Sequence, residues 1–168
     1  AFYFKNTFGI KDSVEKMKTD WNEMATDMYT NEVKLKKGAK EILTLLSQNK
    51  IKTGIATSNS RELTQLVLKA LNINDCFETI VTGCDVTSGK PNPDIYLLAA
   101  DKLKVMPERC LVFEDIPNGI IAGKKANMKV CAVDDLYSKN IEQRKRKLAD
   151  YFINDFNEVI NTFERHGH

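Results

Sequence analysis

Five short apolar runs rich in β-branched residues alternate with amphipathic stripes, and this alternation constrains the fold more than any other feature of the chain. The runs lie at 51–56, 77–81, 110–113, 129–133 and 151–153. Between them, apolar residues recur at spacings of three and four, as on one face of a helix. Ala39, Ile42, Leu43 and Leu46 form one such stripe, and Leu63, Leu66, Val67, Ala70 and Leu71 form the next, with Asn59 or Ser60 as its cap. Asn92-Pro93 opens a third helix, carrying Ile95, Leu98, Ala99 and Leu103 inward. A short helix over 119–126 ends at Asn127, a residue that tolerates the left-handed conformation. Val159, Ile160 and Phe163 suggest a closing helix. Strands that alternate with helices predict an α/β fold with a Rossmann-like parallel sheet covered on both faces, three layers in all.

The first thirty residues follow another pattern. Val14, Met17, Trp21, Met24 and Met28 place one stripe on a helix from about Ser13 to Tyr29, read as a packed face. Asp12, with Glu15 three residues on, resembles a capping box. A boundary is expected near 31–37, dividing a leading helical part, 1–33, from an α/β part, 34–168.

Composition narrows the function classes. A 42% hydrophobic share can fill a core, and the 29% charged share is too mixed in sign for disorder. The net charge of +2 gives no field that would favour nucleic acid or a membrane surface. The basic runs at 34–37 and 144–147 read as solvated surface. No apolar stretch approaches the roughly 20 residues of a membrane span, and no signal-peptide pattern appears. Cys76, Cys84, Cys110 and Cys131 form no Cys-x-x-Cys pair, and Cys110 and Cys131 sit inside apolar, strand-like runs, so buried reduced thiols in a cytoplasmic protein are expected. The only histidines, His166 and His168, end the chain in what has the look of a tag remnant. That argues against a serine-hydrolase triad or a multi-histidine zinc site.

Parallel sheets of this kind bind ligands at the carboxyl ends of their strands, so the residues just past each run come first. Thr57-Ser58-Asn59-Ser60 offers hydroxyls and free amides at a helix start, which suits a phosphate and equally suits a plain cap. Gly89-Lys90-Pro91-Asn92-Pro93-Asp94 presents a lysine from a stiff turn, although a single lysine is more often surface. Glu114 and Asp115 end an apolar strand side by side. Adjacent acids repel unless a cation intervenes, so either a solvated loop or a hard, oxygen-ligated ion such as Mg²⁺ fits them.

In order and spacing, Ala56-Thr57-Ser58-Asn59, then Gly89-Lys90-Pro91-Asn92-Pro93-Asp94, then Val112-Phe113-Glu114-Asp115 with Asn118-Gly119 resemble motifs two, three and four of the haloacid-dehalogenase superfamily. The resemblance covers roughly residues 36 to 160. It is closest to the subfamily with a helical cap, which includes β-phosphoglucomutase and small phosphate-ester phosphatases. It implies that Thr57, assisted by Ser58 and Asn59, binds the transferring phosphoryl group. It implies that Lys90 neutralises nucleophile and phosphate, and that Asp115 holds Mg²⁺ with Glu114 as a second or outer ligand. The implied partner is a small phosphorylated metabolite, handled by a monomer.

Motif one, a strand ending in Asp-x-Asp whose first acid is the nucleophile, has no match; Ala1-Phe2-Tyr3-Phe4 lacks the carboxylates, and Asp12 and Asp20 do not fit. The resemblance therefore implies that residues 1–33 are the late part of a helical cap, and that the first, central strand precedes Ala1. Its loss should leave a gap between neighbouring strands, and the 168 residues alone should be unstable and inactive. Ile116 and Asn127 depart from the family's frequent Ser and Gly without removing an implied ligand. The expected activity of the complete protein is a Mg²⁺-dependent phosphatase working through an aspartyl-phosphate. A sugar-phosphate mutase, a non-catalytic phosphate-binding module and a phospho-acceptor signalling domain remain as alternatives.

Overall fold

A computed structural model describes residues 2–166, apart from the side chain of His166; Ala1 and His168, on which two of the readings above fell, lie outside the described residues. Two helices lead, α1 (Phe2–Phe8) and α2 (Val14–Asn31). The α/β part follows as α3 (Ala39–Gln48), β1 (Gly54–Thr57), α4 (Arg61–Ala70), β2 (Thr79–Thr82), α5 (Asp94–Leu103), β3 (Leu111–Glu114), α6 (Pro117–Lys125), β4 (Lys129–Val133), α7 (Glu142–Leu148), β5 (Tyr151–Ile153) and α8 (Asn157–His166).

The cap of α2 is Ser13 and not Asp12. Ser13 has extended backbone, and its hydroxyl accepts the Lys16 N–H at 3.0 Å. Ser60 caps α4 in the same way, accepting from Leu63 N–H at 3.2 Å. Asn127 takes the left-handed conformation after α6, with φ of 61°. Gly38 also has positive φ, 77°, and a Cβ there would lie 2.7 Å from the Asn157 amide, so glycine lets α3 start against α8.

All strand pairs are parallel, but they form two sheets. β1 pairs with β2, in register from Gly54↔Thr79 to Thr57↔Thr82. β3, β4 and β5 form the second sheet in that order. β1 and β3 each have one partner, so each keeps one edge unpaired among the described residues. One core nevertheless runs under both sheets, joining Val81 of β2 to Val112 and Val130 of the second sheet through Ile95 and Ala99 of α5 and Ile120 of α6. β4 is buried along four of its five residues, as a strand covered on both faces must be.

Several expectations need correction. Helix α7 was not expected. The α2 stripe is covered only at its start: Val14 and Met17 are buried, whereas Trp21, Met24 and Met28 are exposed. The edge of the Phe4 ring on Trp21, 5.4 Å between centroids, is small compensation. Neither basic run is wholly surface. Lys145 is fully buried, and Lys36 is drawn inward by the Asp135 carboxylate. All four cysteines are free, but only Cys131 is buried, and burial pushes its thiol up to about 11. No helix among the described residues is long and apolar enough to cross a membrane.

Candidate active site

The three strand-end segments meet at one cavity of about 280 Å³. Thr57, Lys90, Glu114 and Asp115 line it. Ala56, Phe113, Val133 and Phe156 supply apolar wall, and Lys36 adds an amine that the sequence did not single out. The cavity therefore lies between the ends of β1 and β3, on the side where both edges are unpaired. A larger hollow of about 480 Å³ is lined entirely from α2, so it brings together no groups from different elements.

The hydroxyl run after β1 divides. Thr57 Oγ1 accepts the Asn59 N–H at 3.2 Å, which leaves the hydroxyl proton free to donate into the cavity. Ser58 is exposed and does not line the cavity. Asn59 turns away as well, its side-chain amide donating to the Tyr29 hydroxyl of α2 at 3.0 Å. Of the three residues read as phosphate-binding here, the structure brings only Thr57 to the cavity by its side chain.

Lys90 reaches inward from the turn before α5, past a cis peptide bond to Pro91. Its amine donates to the Ala56 carbonyl at 3.2 Å and to Glu114 Oε1, and lies 4.9 Å from the centre of the Tyr96 ring. Two of its three protons are thus engaged. It bridges β1 and β3, whose free edges flank the cavity.

Glu114 is almost wholly enclosed. Oε1 accepts from Lys90 and from the Tyr96 hydroxyl at 2.7 Å, and Oε2 accepts the N–H groups of Asp115 and Ile116 at 3.0 and 3.3 Å. A Cβ on Gly119 would lie 2.0 Å from this carboxyl, so glycine makes room for it. Burial, and then the Glu114 charge, push the Tyr96 phenol far upward, which keeps it a neutral donor. With four donors around two oxygens, Glu114 is a holder of Lys90 before it is anything else. Of the two roles expected for it, second ligand or outer ligand, this arrangement suits the outer one.

Asp115 contrasts with its neighbour. Its carboxylate forms no ion pair among the described residues. Burial raises its carboxyl above the usual range, and the charges of Glu114 and Asp135 add to this against the pull of Lys36. A half-buried acid beside a cavity, held unfavourably charged and lacking a counter-ion, suits a hard cation. The fit is partial: no group of three or more His, Cys, Asp or Glu able to hold a metal occurs among the described residues. The remaining oxygens would have to come from water, phosphate or another carboxylate.

Sequence reasoning missed Lys36 and Tyr96. Lys36 carries no local signal, because its run looks like any solvated charge cluster. Tyr96 sits beside Ile95 at the start of the stripe of α5, where a polar tip so close to the Lys90 turn was a usable hint.

The chain matches the family model for haloacid dehalogenase-like hydrolases over residues 3–133. It is 35% identical over 120 residues to a phosphorylated carbohydrates phosphatase of Thermotoga maritima, covering 71% of this chain and 56% of that one. It is 42% identical over 100 residues to a putative phosphatase, YhcW, of Bacillus subtilis, covering 60% and 46%. Among solved structures, a putative β-phosphoglucomutase of Thermotoga maritima superposes with a TM-score of 0.80 at 29% identity, covering 96% of this chain and 74% of that one. The chain spans about half the length of the two curated relatives.

Proposed function

The chain belongs to the haloacid dehalogenase-like hydrolase family, and on that premise we propose that it supplies the phosphate-handling part of a Mg²⁺-dependent phosphatase acting on small phosphate monoesters. The observation that carries this reading is the convergence of Thr57, Lys90 and Asp115 on one cavity between the ends of β1 and β3. Phosphoryl transfer asks mainly for charge cancellation and in-line placement, and these three groups supply a donor, a cation and an anion.

In this reading the Thr57 hydroxyl donates to a phosphoryl oxygen, and the unengaged N–H of Lys90 points at the same group. Glu114 aims the lysine by holding its amine, helped by Tyr96. Asp115 would be the residue of this chain that holds Mg²⁺. That ion, when bound, supplies charge neutralisation between nucleophile and phosphate. The nucleophile, an Asp that forms the aspartyl-phosphate, lies outside these 168 residues on a strand paired between the free edges of β1 and β3. Residues 1–33 are then the late part of a helical cap. The substrate class is a phosphorylated metabolite rather than nucleic acid or membrane, and the protein is a cytoplasmic monomer.

The structural likeness to a putative β-phosphoglucomutase favours a second reading, in which the phosphoryl group is returned to a sugar phosphate. A third, a phosphate-binding module without catalysis, is favoured by the cavity having no carboxylate beyond Glu114 and Asp115 among the described residues. One experiment separates the three: a phosphate-ester panel with and without Mg²⁺, run on the 168-residue chain and on the chain extended upstream through an Asp-x-Asp strand. A phosphatase releases phosphate only in the extended form, and Asp115→Ala lowers turnover by about 100-fold or more. Sugar-phosphate isomers without phosphate release indicate the mutase, and phosphate binding with neither indicates the module. Asp115→Ala at full activity sinks the metal assignment.

A further inference from the structure

Lys145 lies in a basic run that reads as surface, yet it is 0% exposed. Burying an ammonium costs several kcal/mol, and a methionine would fill much the same space without that cost. What the amine touches therefore matters. It donates to the carbonyl of Val133, the last residue of β4, at 3.0 Å, and to the Ser138 hydroxyl at 2.8 Å. Its nearest aromatic ring, Phe152, is 5.9 Å away, and no ion pair engages it among the described residues.

Ser138 passes the contact on. A hydroxyl has one proton, and with Lys145 donating into its lone pair that proton is directed outward. Two carbonyls lie in reach, Asp115 at 3.1 Å and Asp135 at 3.5 Å, and the nearer is the better acceptor. The Asp115 carbonyl belongs to the peptide whose N–H, that of Ile116, is held by Glu114 Oε2. Glu114 also holds the Asp115 N–H. The backbone on both sides of the Asp115 Cα is thus pinned, from the Lys90 side through Glu114 and from α7 through Ser138. The Asp115 carboxylate keeps only its own side-chain torsions.

We propose that Lys145, acting through Ser138, is a positioning residue that fixes the end of β3 so that the Asp115 carboxylate faces the cavity. The proposal rests on the reading of Asp115 as a cation ligand, and it adds α7 to the elements that shape the site. Phosphoryl-transfer sites depend on such placement, because displacing a ligand by about 1 Å can cost a hundredfold.

The test uses the chain extended upstream through an Asp-x-Asp strand, with Lys145→Met, Lys145→Arg, Ser138→Ala and the Met/Ala double variant, read by hydrogen–deuterium exchange and by titration with MgCl₂. Lys145→Met should speed exchange of the 115–119 amides by about 10-fold while leaving 54–57 and 79–82 unchanged, and should weaken Mg²⁺ binding by about 10-fold. Ser138→Ala should do the same, the double variant should go no further, and Lys145→Arg should restore part of the protection. Exchange at 115–119 equal to the parent's, or raised evenly over the whole chain, overturns the proposal. If Lys145→Met does not fold, Ser138→Ala decides by the same two criteria. If the parent takes no Mg²⁺, or Asp115→Asn leaves its affinity unchanged, the metal reading falls and the exchange pattern alone judges the tether.

Discussion

The end of β3 and the helix pair α1–α2 both begin as apolar sequence, and the chain finishes them in opposite ways. Along β3 the apolar run is covered from Val112 onward, with Leu111 exposed at its start, and the acid that ends it receives four donors inside the protein. In α1 and α2 most of the large side chains past Met17 or before Val14 stay in water: Phe2 is 72% exposed, Phe8 66% and Met24 62%. The difference lies in what is packed opposite. A stripe specifies which residues share a face, and a face is covered only if another element is there to cover it. β3 has β4, α5 and α6 around it, whereas α2 meets α4 mainly.

The comparison predicts steep costs at one region and small ones at the other. The largest should follow Glu114→Gln, which leaves the enclosed Lys90 amine without its counter-charge. About 3–5 kcal/mol of unfolding free energy should be lost in denaturant titration; a loss below about 1 would mean that the pair is wetter than its packing indicates. Gly119→Ala should cost about 2–3 kcal/mol, because the new Cβ meets the pinned Glu114 carboxyl and one of them must shift. A crystal structure of that variant should show Glu114 displaced from Lys90. Tyr96→Phe removes one donor to a buried carboxylate and should cost about 1.5–3 kcal/mol by thermal melting.

Asp150 sharpens the comparison through pH. The Lys124 amine, and then the Val130 N–H, hold its carboxyl well below the ordinary 3.8. A depressed acid stabilises the folded state above its unfolded value and loses that contribution as pH falls through the folded one. Asp150→Asn should therefore cost about 1 kcal/mol at pH 7 through its lost amide and amine contacts. The gap to the parent should close below about pH 3.8 in acid-unfolding curves. The smallest effect is expected in the leading helices, where Phe8→Ser should change stability by less than about 0.5 kcal/mol. A larger loss there would mean that α1 is covered by something in solution.

Legibility followed the same division. Every strand of the α/β part was visible as a short β-branched run, displaced by three residues at most at the start of β1. The caps at Ser60 and Asn127 were legible because capping is a matter of one side chain and its nearest amides. The convergence of the Thr57, Lys90 and Glu114–Asp115 segments was legible because the strands are parallel, so their carboxyl ends share a rim. Helix α7 was hidden by its charge. Arg144-Lys145-Arg146-Lys147 carries no apolar stripe; Leu148, the Lys145 amine on the Val133 carbonyl and the Arg146 guanidinium over the Phe152 ring hold it to the sheet.

The sequence by itself determined where the elements lie, which residues stand at the strand ends and which family the motifs resemble, because periodicity and capping are local. Only the tertiary structure decided what each polar group does there. Glu114 and Asp115 are neighbours of like chemistry, yet one is saturated by Lys90 and Tyr96 and the other carries no ion pair. Lys145 and Arg144 share one basic run, and only Lys145 is buried under the strand ends. Burial and partnership depend on residues dozens of positions away, and no local pattern encodes them.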